Sequence, residues 1–181
     1  MSLTQKERGK IIAESYRLWT HDAKNVLDVG CGNGVVSNVL RKRLDVLIHG
    51  TDIIDYRKEE LLFTKMNESG KLPFPDNSFD IVMFNDMLHH SEEIESLLNE
   101  GKRIAKTILI FEDCESLLMK VLDAGVNYIY CSDMPIPFNF KTQKQWMELF
   151  ANLNFQATIG KVSYPFWYPL NHMVFKLDRQ G

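Results

Sequence analysis

The sequence predicts an α/β fold in three layers, built on a doubly wound, mostly parallel sheet of seven strands with an antiparallel C-terminal strand. Three observations predict it. Segments with the period of strands alternate along the chain with segments that have the period of helices. Two strand segments, residues 79–85 and 107–112, are almost continuously apolar, as in strands buried on both faces. A third, residues 25–30, ends in glycine and is followed by a helix.

In the first half of the chain, the elements follow one another in short alternation. Ile12, Tyr16 and Trp19 share one face of an N-terminal amphipathic helix. The expected elements are helix 4–20, strand 25–30, helix 34–44 and strand 46–52. Residues 55–71 are ambiguous, because they could hold a short helix before Leu61 opens a third strand.

The second half continues the alternation to the C-terminus. Thr142 and Gln145 form a capping box, which predicts the start of a helix. An earlier helical stripe is formed by Leu117, Leu118, Val121 and Leu122. The remaining expected elements are strand 79–85, helix 91–105, strand 107–112 and two closing strands, about 155–163 and 171–177.

Length and composition predict one soluble domain over residues 1–181, with an N-terminal helix in 1–24 and the core in 25–181. Apolar residues are 45% and charged residues 25% of the 181, which argues against a disordered chain. A net charge of −3 argues against a dedicated nucleic-acid binder, and no DNA partner is expected. Three cysteines without a CxxC pair predict a cytoplasmic location for the protein. The sequence has no apolar run long enough to predict a membrane span. A homodimer is possible.

The motif over residues 26–34, Val-Leu-Asp-Val-Gly-Cys-Gly-Asn-Gly, marks a ligand site at a strand-to-helix turn. Its glycine spacing does not fit the dinucleotide pattern GxGxxG, and no Gly-Lys-Ser/Thr of a phosphate loop follows. Asp28 would repel a pyrophosphate and attract a cation. Asp52, at the end of the second strand, is placed to accept both hydroxyls of a ribose. An adenosine that bears a positive centre describes S-adenosylmethionine.

These motifs resemble the class I S-adenosylmethionine-dependent methyltransferases, specifically their type 11 group. Besides residues 26–34, the resemblance rests on Thr51-Asp-Ile53, on residues 72–80 (Leu-Pro-Phe-Pro-Asp-Asn-Ser-Phe-Asp) and on Met87-Leu-His-His90. A late helix with Phe140-Lys-Thr and Trp146 is also similar. The resemblance covers about residues 25–177 and implies a Rossmann-like methyltransferase fold.

The resemblance also implies which residues hold the cofactor. The residues that would face its methionine part are Asp28, Gly30, Cys31, Gly32, Asn33, Gly34 and Asn85. Asp52 would hold the ribose, and Ile53 would pack on the adenine. Glu68 and Ser69 fall where the family contacts adenine, although the usual pair there is Asp-Ala or Asn-Ala.

Candidates for catalysis follow the fourth strand, at the edge where ligands of such sheets bind. His89 or His90 could take a proton from an acceptor, or could have no catalytic role. Asp86, Glu112 and Asp113 could together hold Mg²⁺, but carboxylates are common at strand ends and no metal is expected. The aromatic stretches 128–140 and 164–169 could form a substrate wall, a satellite core or a dimer contact.

The expected function is therefore in-line methyl transfer to a small-molecule acceptor, in particular a hydrophobic or aromatic one. The donor is already activated, so the protein mainly orients the reactants, and a base is needed only where the acceptor must lose a proton. Two alternatives stay open. One is a methyltransferase that modifies a protein or RNA with a partner subunit, and the other is a non-catalytic module that binds S-adenosylmethionine.

Overall fold

The computed structural model describes residues 2–113, 139–165, 168 and 171–179. The helices are α1 (Ser2–Tyr16), α2 (Val35–Leu44), α3 (Ile94–Ile104) and α4 (Gln143–Asn152), with one turn of 3₁₀ helix at Leu88–His90. The strands are β1 (Asn25–Val29), β2 (Leu47–Asp52), β3 (Leu62–Lys65), β4 (Ile81–Asn85), β5 (Thr107–Asp113), β6 (Phe155–Ile159) and β7 (His172–Arg179). Helix and strand alternate from α1 to β2, as the sequence predicts.

The seven strands form one sheet in the order β3-β2-β1-β4-β5-β7-β6. Strands β1 to β5 are mutually parallel, while β7 pairs antiparallel with both β5 and β6. The order reverses between β1 and β4, which places a crevice at the carboxyl ends of these two strands. The predicted fold class, a mostly parallel sheet with an antiparallel C-terminal strand, is confirmed. The antiparallel strand lies inside the sheet, and β6 forms the edge.

Apolar side chains form two buried clusters, one on each face of the sheet. Alternate residues of β4 contribute to opposite clusters, Phe84 to one and Met83 to the other. The first cluster includes α3 and α4, with Phe150 fully buried. The second includes α1 and α2, through Ile12 and Leu40. The three predicted layers are therefore present, and each central strand is covered on both faces.

Several element boundaries differ from the sequence-based ones. Helix α1 ends at Tyr16, and Trp19 lies in a turn in which its N–H donates to the Tyr16 carbonyl (2.8 Å). Residues 55–61 form no helix, and the third strand begins at Leu62. The capping box of Thr142 and Gln145 is confirmed at the start of α4. The stripe 117–122 and most of the aromatic stretch 128–140 lie outside the described residues.

No helix in the described part of the chain is both long enough and apolar enough to cross a membrane.

Candidate functional site

The glycine turn between β1 and α2 forms the floor of the candidate site. Gly30, Gly32 and Gly34 have φ angles of 73°, 56° and 78°, in the left-handed region that side chains disfavour. The Gly30 N–H donates to the Thr51 carbonyl (2.8 Å), which ties the turn to the end of β2. A Cβ atom on Gly30 would lie 2.8 Å from Cβ of Met87. This turn therefore requires glycine both for its backbone angles and for its close approach to the segment after β4.

Asp52 ends β2 and faces the same turn. Its Oδ2 accepts from the Gly32 N–H (2.9 Å), and its Oδ1 accepts from the Ile53 N–H (2.7 Å). Partial burial raises the pKa of this carboxyl above its ordinary value, and the backbone N–H donors oppose that rise. Each carboxylate oxygen can accept a further hydrogen bond. The carboxylate is thus held in place by the backbone while it keeps acceptor capacity for two hydroxyls of a ligand.

Asp28 is buried beneath the turn, and each of its two carboxylate oxygens accepts one hydrogen bond from a side chain. Its Oδ2 accepts from the Ser37 hydroxyl of α2 (2.6 Å), and its Oδ1 accepts from Nδ2 of Asn85 at the end of β4 (2.9 Å). Oδ1 of Asn85 in turn accepts from the Tyr16 hydroxyl of α1 (3.0 Å). Burial raises the pKa of Asp28 from 3.8 to about 6, against the effect of its two donors. The structure therefore joins β1, β4, α1 and α2 around one buried carboxyl.

The other sequence-predicted cofactor residues lie at varying distances from this centre. Asn33 donates from Nδ2 to Gln5 of α1 (3.0 Å), so its side chain braces the turn. Cys31 is buried, and burial raises the pKa of its thiol. Ile53 is half-buried and packs against the first core cluster. Glu68 and Ser69 are exposed in the segment after β3.

His89 forms a buried pair with Glu112 beside the turn. Its Nδ1 lies 2.5 Å from Oε2 of Glu112, and its ring stacks on Phe140 with centroids 4.8 Å apart. Oε1 of Glu112 accepts from the N–H groups of Met87 (3.0 Å) and Leu88 (2.7 Å). Glu112 thus fixes both the imidazole and the backbone segment that meets Gly30.

Sequence reasoning missed three members of this arrangement. Tyr16 was assigned to the apolar face of α1, Ser37 received no role, and Glu112 was grouped with possible metal ligands. Spacing within a helix or strand shows which residues share a face. It does not show which side chain on another element completes a hydrogen bond.

Comparison with known proteins points in the same direction as this geometry. Residues 27–108 match a family model described as a methyltransferase domain. Sterol 24-C-methyltransferase ERG6B of Gibberella zeae is 32% identical over 110 residues, which cover 54% of this chain and 29% of that protein. The mitochondrial arginine-hydroxylase NDUFAF5 of Rattus norvegicus is 27% identical over 113 residues, which cover 59% of this chain and 33% of that protein. The matches therefore span about a third of the length of these curated relatives.

Among solved structures, the PH0226 protein of Pyrococcus horikoshii superposes with a TM-score of 0.72 at 18% identity. The superposition covers 94% of this chain and 89% of that one, so the whole described sheet follows a known fold. The family model begins at the residue before Asp28 and ends within β5. It therefore spans the glycine turn, Asp52 and Asn85. By sequence, residues 27–108 are therefore similar to the methyltransferase domain family, and the described sheet has the same fold as the PH0226 protein.

Proposed function

We propose that this chain binds S-adenosylmethionine at the glycine turn and transfers its methyl group to a small-molecule acceptor. The observation that carries the proposal is the pair of carboxyls on either side of that turn. Asp52 is held with acceptor capacity to spare, and Asp28 places a negative charge beneath the backbone. A ribose and a cationic sulfur match that pair of carboxyls better than a pyrophosphate does, because a pyrophosphate would be repelled by both.

In the proposed complex, each part of the cofactor meets a different element. The ribose hydroxyls donate to Asp52, and Ile53 packs beside the adenine. The sulfonium lies near the chain of hydrogen bonds formed by Asp28, Asn85 and Tyr16, where the field of the buried carboxylate favours positive charge. Because Asp28 is already bonded to Ser37 and Asn85, we expect it to act through its charge and through Asn85.

The chemical step is an in-line displacement. A lone pair of the acceptor forms the bond to the methyl carbon, the bond between carbon and sulfur breaks, and its electron pair neutralises the sulfonium. S-adenosylhomocysteine leaves, and an acceptor that carried a hydrogen loses a proton. The chain contributes mainly orientation, which can account for about 7–11 kcal/mol of a barrier at best.

His89 and His90 are our candidates for the base where the acceptor must lose a proton. If Glu112 accepts the hydrogen on Nδ1 of His89, the other ring nitrogen carries the lone pair that a base needs. The pairing therefore orients His89 as a proton acceptor, in the way that a carboxylate fixes a histidine tautomer in other enzymes.

The proposal of a small-molecule acceptor is supported by the name of one similar protein. The printed name of the Gibberella zeae protein gives a sterol, a small apolar molecule, as what it methylates. The second relative is named as an arginine hydroxylase, which gives no methyl acceptor, and a protein or RNA acceptor with a partner subunit stays the alternative. A non-catalytic cofactor-binding module is the remaining one.

Calorimetric titration of the pure chain tests the proposal directly. S-adenosylmethionine and S-adenosylhomocysteine are each expected to bind at one site per chain with micromolar affinity. NAD is the matched ligand control, because it carries the same adenosine on a pyrophosphate, and it should not bind. Methyl transfer is then tested with labelled donor against small-molecule and protein fractions of a lysate. Binding of NAD in place of S-adenosylmethionine would contradict the proposed site, and cofactor binding without transfer would favour the non-catalytic module.

A further inference from the structure

A second group of ionisable side chains lies at the same edge of the sheet, on the face covered by α1. Asp113 ends β5 and lies directly opposite His172, the first residue of β7. Nε2 of His172 is 2.8 Å from Oδ1 of Asp113 and 3.7 Å from Oδ1 of Asp86, which follows β4. One nitrogen or oxygen atom from each of the three residues lies within 4.8 Å of the other two.

These three side chains are buried and incompletely satisfied. Their exposed fractions are 5% for Asp86, 6% for Asp113 and 1% for His172. Within the described residues, seven buried side-chain nitrogen or oxygen atoms form no hydrogen bond. Five of the seven belong to this cluster: both oxygens of Asp86, Oδ1 of Asp113 and both ring nitrogens of His172. Three of these five, Oδ2 of Asp86, Oδ1 of Asp113 and Nε2 of His172, lie within 3.0 Å of a neighbouring ionisable group, which leaves Oδ1 of Asp86 and Nδ1 of His172 without a partner at that distance among the described residues. Buried polar atoms are normally paired, so this concentration in one place points to a missing ligand.

The charge of the cluster suits a cation. The fixed positive group beside it is the guanidinium of Arg8 on α1, with Nη1 3.0 Å from Oδ2 of Asp86. When His172 binds a metal through a neutral ring nitrogen, the two carboxylates balance the charge of a divalent ion, and the guanidinium leaves the site with a net charge of +1.

The spacing and the donor types select the kind of ion. Ligand bonds to Zn²⁺ are about 2.0–2.2 Å, so two donors on one tetrahedral ion lie about 3.4 Å apart. The 3.7 Å separation of His172 and Asp86 is close to that value, and the 2.8 Å contact with Asp113 needs to open by about 0.6 Å. One imidazole and two carboxylates form a mixed donor set, which favours first-row transition metals over Mg²⁺.

The structure also separates Glu112 from this group. Successive residues of a strand face opposite sides of the sheet, so Asp113 faces α1 while Glu112 faces His89. The sequence-based grouping of Asp86, Glu112 and Asp113 is therefore divided, and His172 takes the place of Glu112.

We propose that Asp86, Asp113 and His172 bind one divalent transition-metal ion of the zinc class, with a fourth position left for water or an acceptor atom. Asp86 directly follows Asn85 of the proposed cofactor site. An ion here would lower the pKa of a coordinated hydroxyl or thiol beside the methyl donor. That catalytic role rests on the proposed function, whereas the metal site itself does not.

Zinc titration of the tag-free chain after dialysis against a chelator tests the site. We expect one Zn²⁺ per chain by calorimetry. Loss of an outer-shell partner weakens metal binding by about 10- to 100-fold, so D113N and H172Q, which remove direct ligands, should weaken it by more than about 100-fold. The matched control is H21N, which removes an exposed histidine paired with Asp22 and should leave affinity unchanged.

Two outcomes would overturn the proposal: a folded wild-type chain that binds no Zn²⁺, or equal affinity in wild type, D113N and H172Q. Either would identify the cluster as an ion-pair network of Arg8 and His172 with the two carboxylates. Where the variants fail to fold, the visible absorption spectrum of Co²⁺ added to the wild type tests the site instead. The intense spectrum of tetrahedral Co²⁺ supports the site, and the weak spectrum of Co²⁺ in water refutes it. Titration with S-adenosylmethionine on the same sample keeps failure of the cofactor site distinct from failure of the metal site.

Discussion

The buried carboxyl of Asp28 should make the stability of the ligand-free protein depend on pH in an unusual direction. Its pKa in the folded chain is about 6, against an ordinary value of 3.8. Between these two pH values, the folded state keeps a proton that the unfolded chain has released. Stability from this group is therefore fully present below about pH 3.8 and is lost as the pH rises through 6. The D28N variant cannot ionise here and should lack this component.

The size of the effect follows from the pKa difference. A pKa difference of about 2.2 units corresponds to about 3 kcal/mol over the whole range. Between pH 4.5 and pH 7.5, the linkage relation gives about 2 kcal/mol, because the unfolded carboxyl is already mostly ionised at pH 4.5. An asparagine at this position can still accept a hydrogen bond from the Ser37 hydroxyl through its oxygen. Its NH₂ group then faces the NH₂ group of Asn85, and these two donors cannot bond to each other. The cost of that donor–donor contact is independent of pH, so it cancels when the free energies of unfolding of one protein at two pH values are subtracted.

Urea unfolding at pH 4.5 and pH 7.5 measures this quantity for each protein. On going to pH 7.5, the free energy of unfolding of the wild type should fall by about 2 kcal/mol relative to D28N. The control is D22N, which removes an exposed carboxyl and should follow the wild type. Equal pH dependence in the wild type and D28N would refute the assignment of the raised pKa to Asp28.

Three further variants test the site and the core. D52A should weaken S-adenosylmethionine binding by more than about tenfold in calorimetry, because two charge-assisted hydrogen bonds at about 1.5–3 kcal/mol each are lost. An unchanged affinity would show that the ribose binds elsewhere. G30A should lower the free energy of unfolding by about 1–3 kcal/mol, because alanine is strained in the left-handed backbone conformation of this residue. The close contact of its Cβ with Met87 should destabilise the variant further, and a thermal melt equal to that of the wild type would contradict the geometry of the turn. F150A should lower the free energy of urea unfolding by about 3–5 kcal/mol, since Phe150 is fully buried. A loss below about 1 kcal/mol would show that the core around Phe150 is not tightly packed.

The sheet could be predicted from sequence because its central strands carry an unambiguous signal. Strands β4 and β5 are buried on both faces, so they are apolar from Ile81 to Phe84 and from Ile108 to Phe111, and their type is evident without partners. Residues 55–61 gave no such signal. They are held by specific contacts such as that of Arg57 with the Leu61 carbonyl, and no periodicity records a contact of that kind.

The candidate site was predictable where the chain itself brings residues together. The glycine turn and Asp52 are linked by the order of β1 and β2, so one motif locates both. The cluster of Asp86, Asp113 and His172 depends on β7 returning beside β5, which spacing along the chain does not specify.

The position of β7 inside the sheet has a consequence for how the chain is made. Strand β5 is complete at Asp113, but the strand that pairs with its free edge ends only at Arg179. At a synthesis rate of about 5–20 residues per second, the ribosome needs several seconds to supply the intervening segment and β7. During that interval β5 presents an apolar strand with unpaired backbone groups, which is a template for aggregation. A chaperone that covers nascent strands should therefore raise the yield of folded protein more than changes to its finished surface.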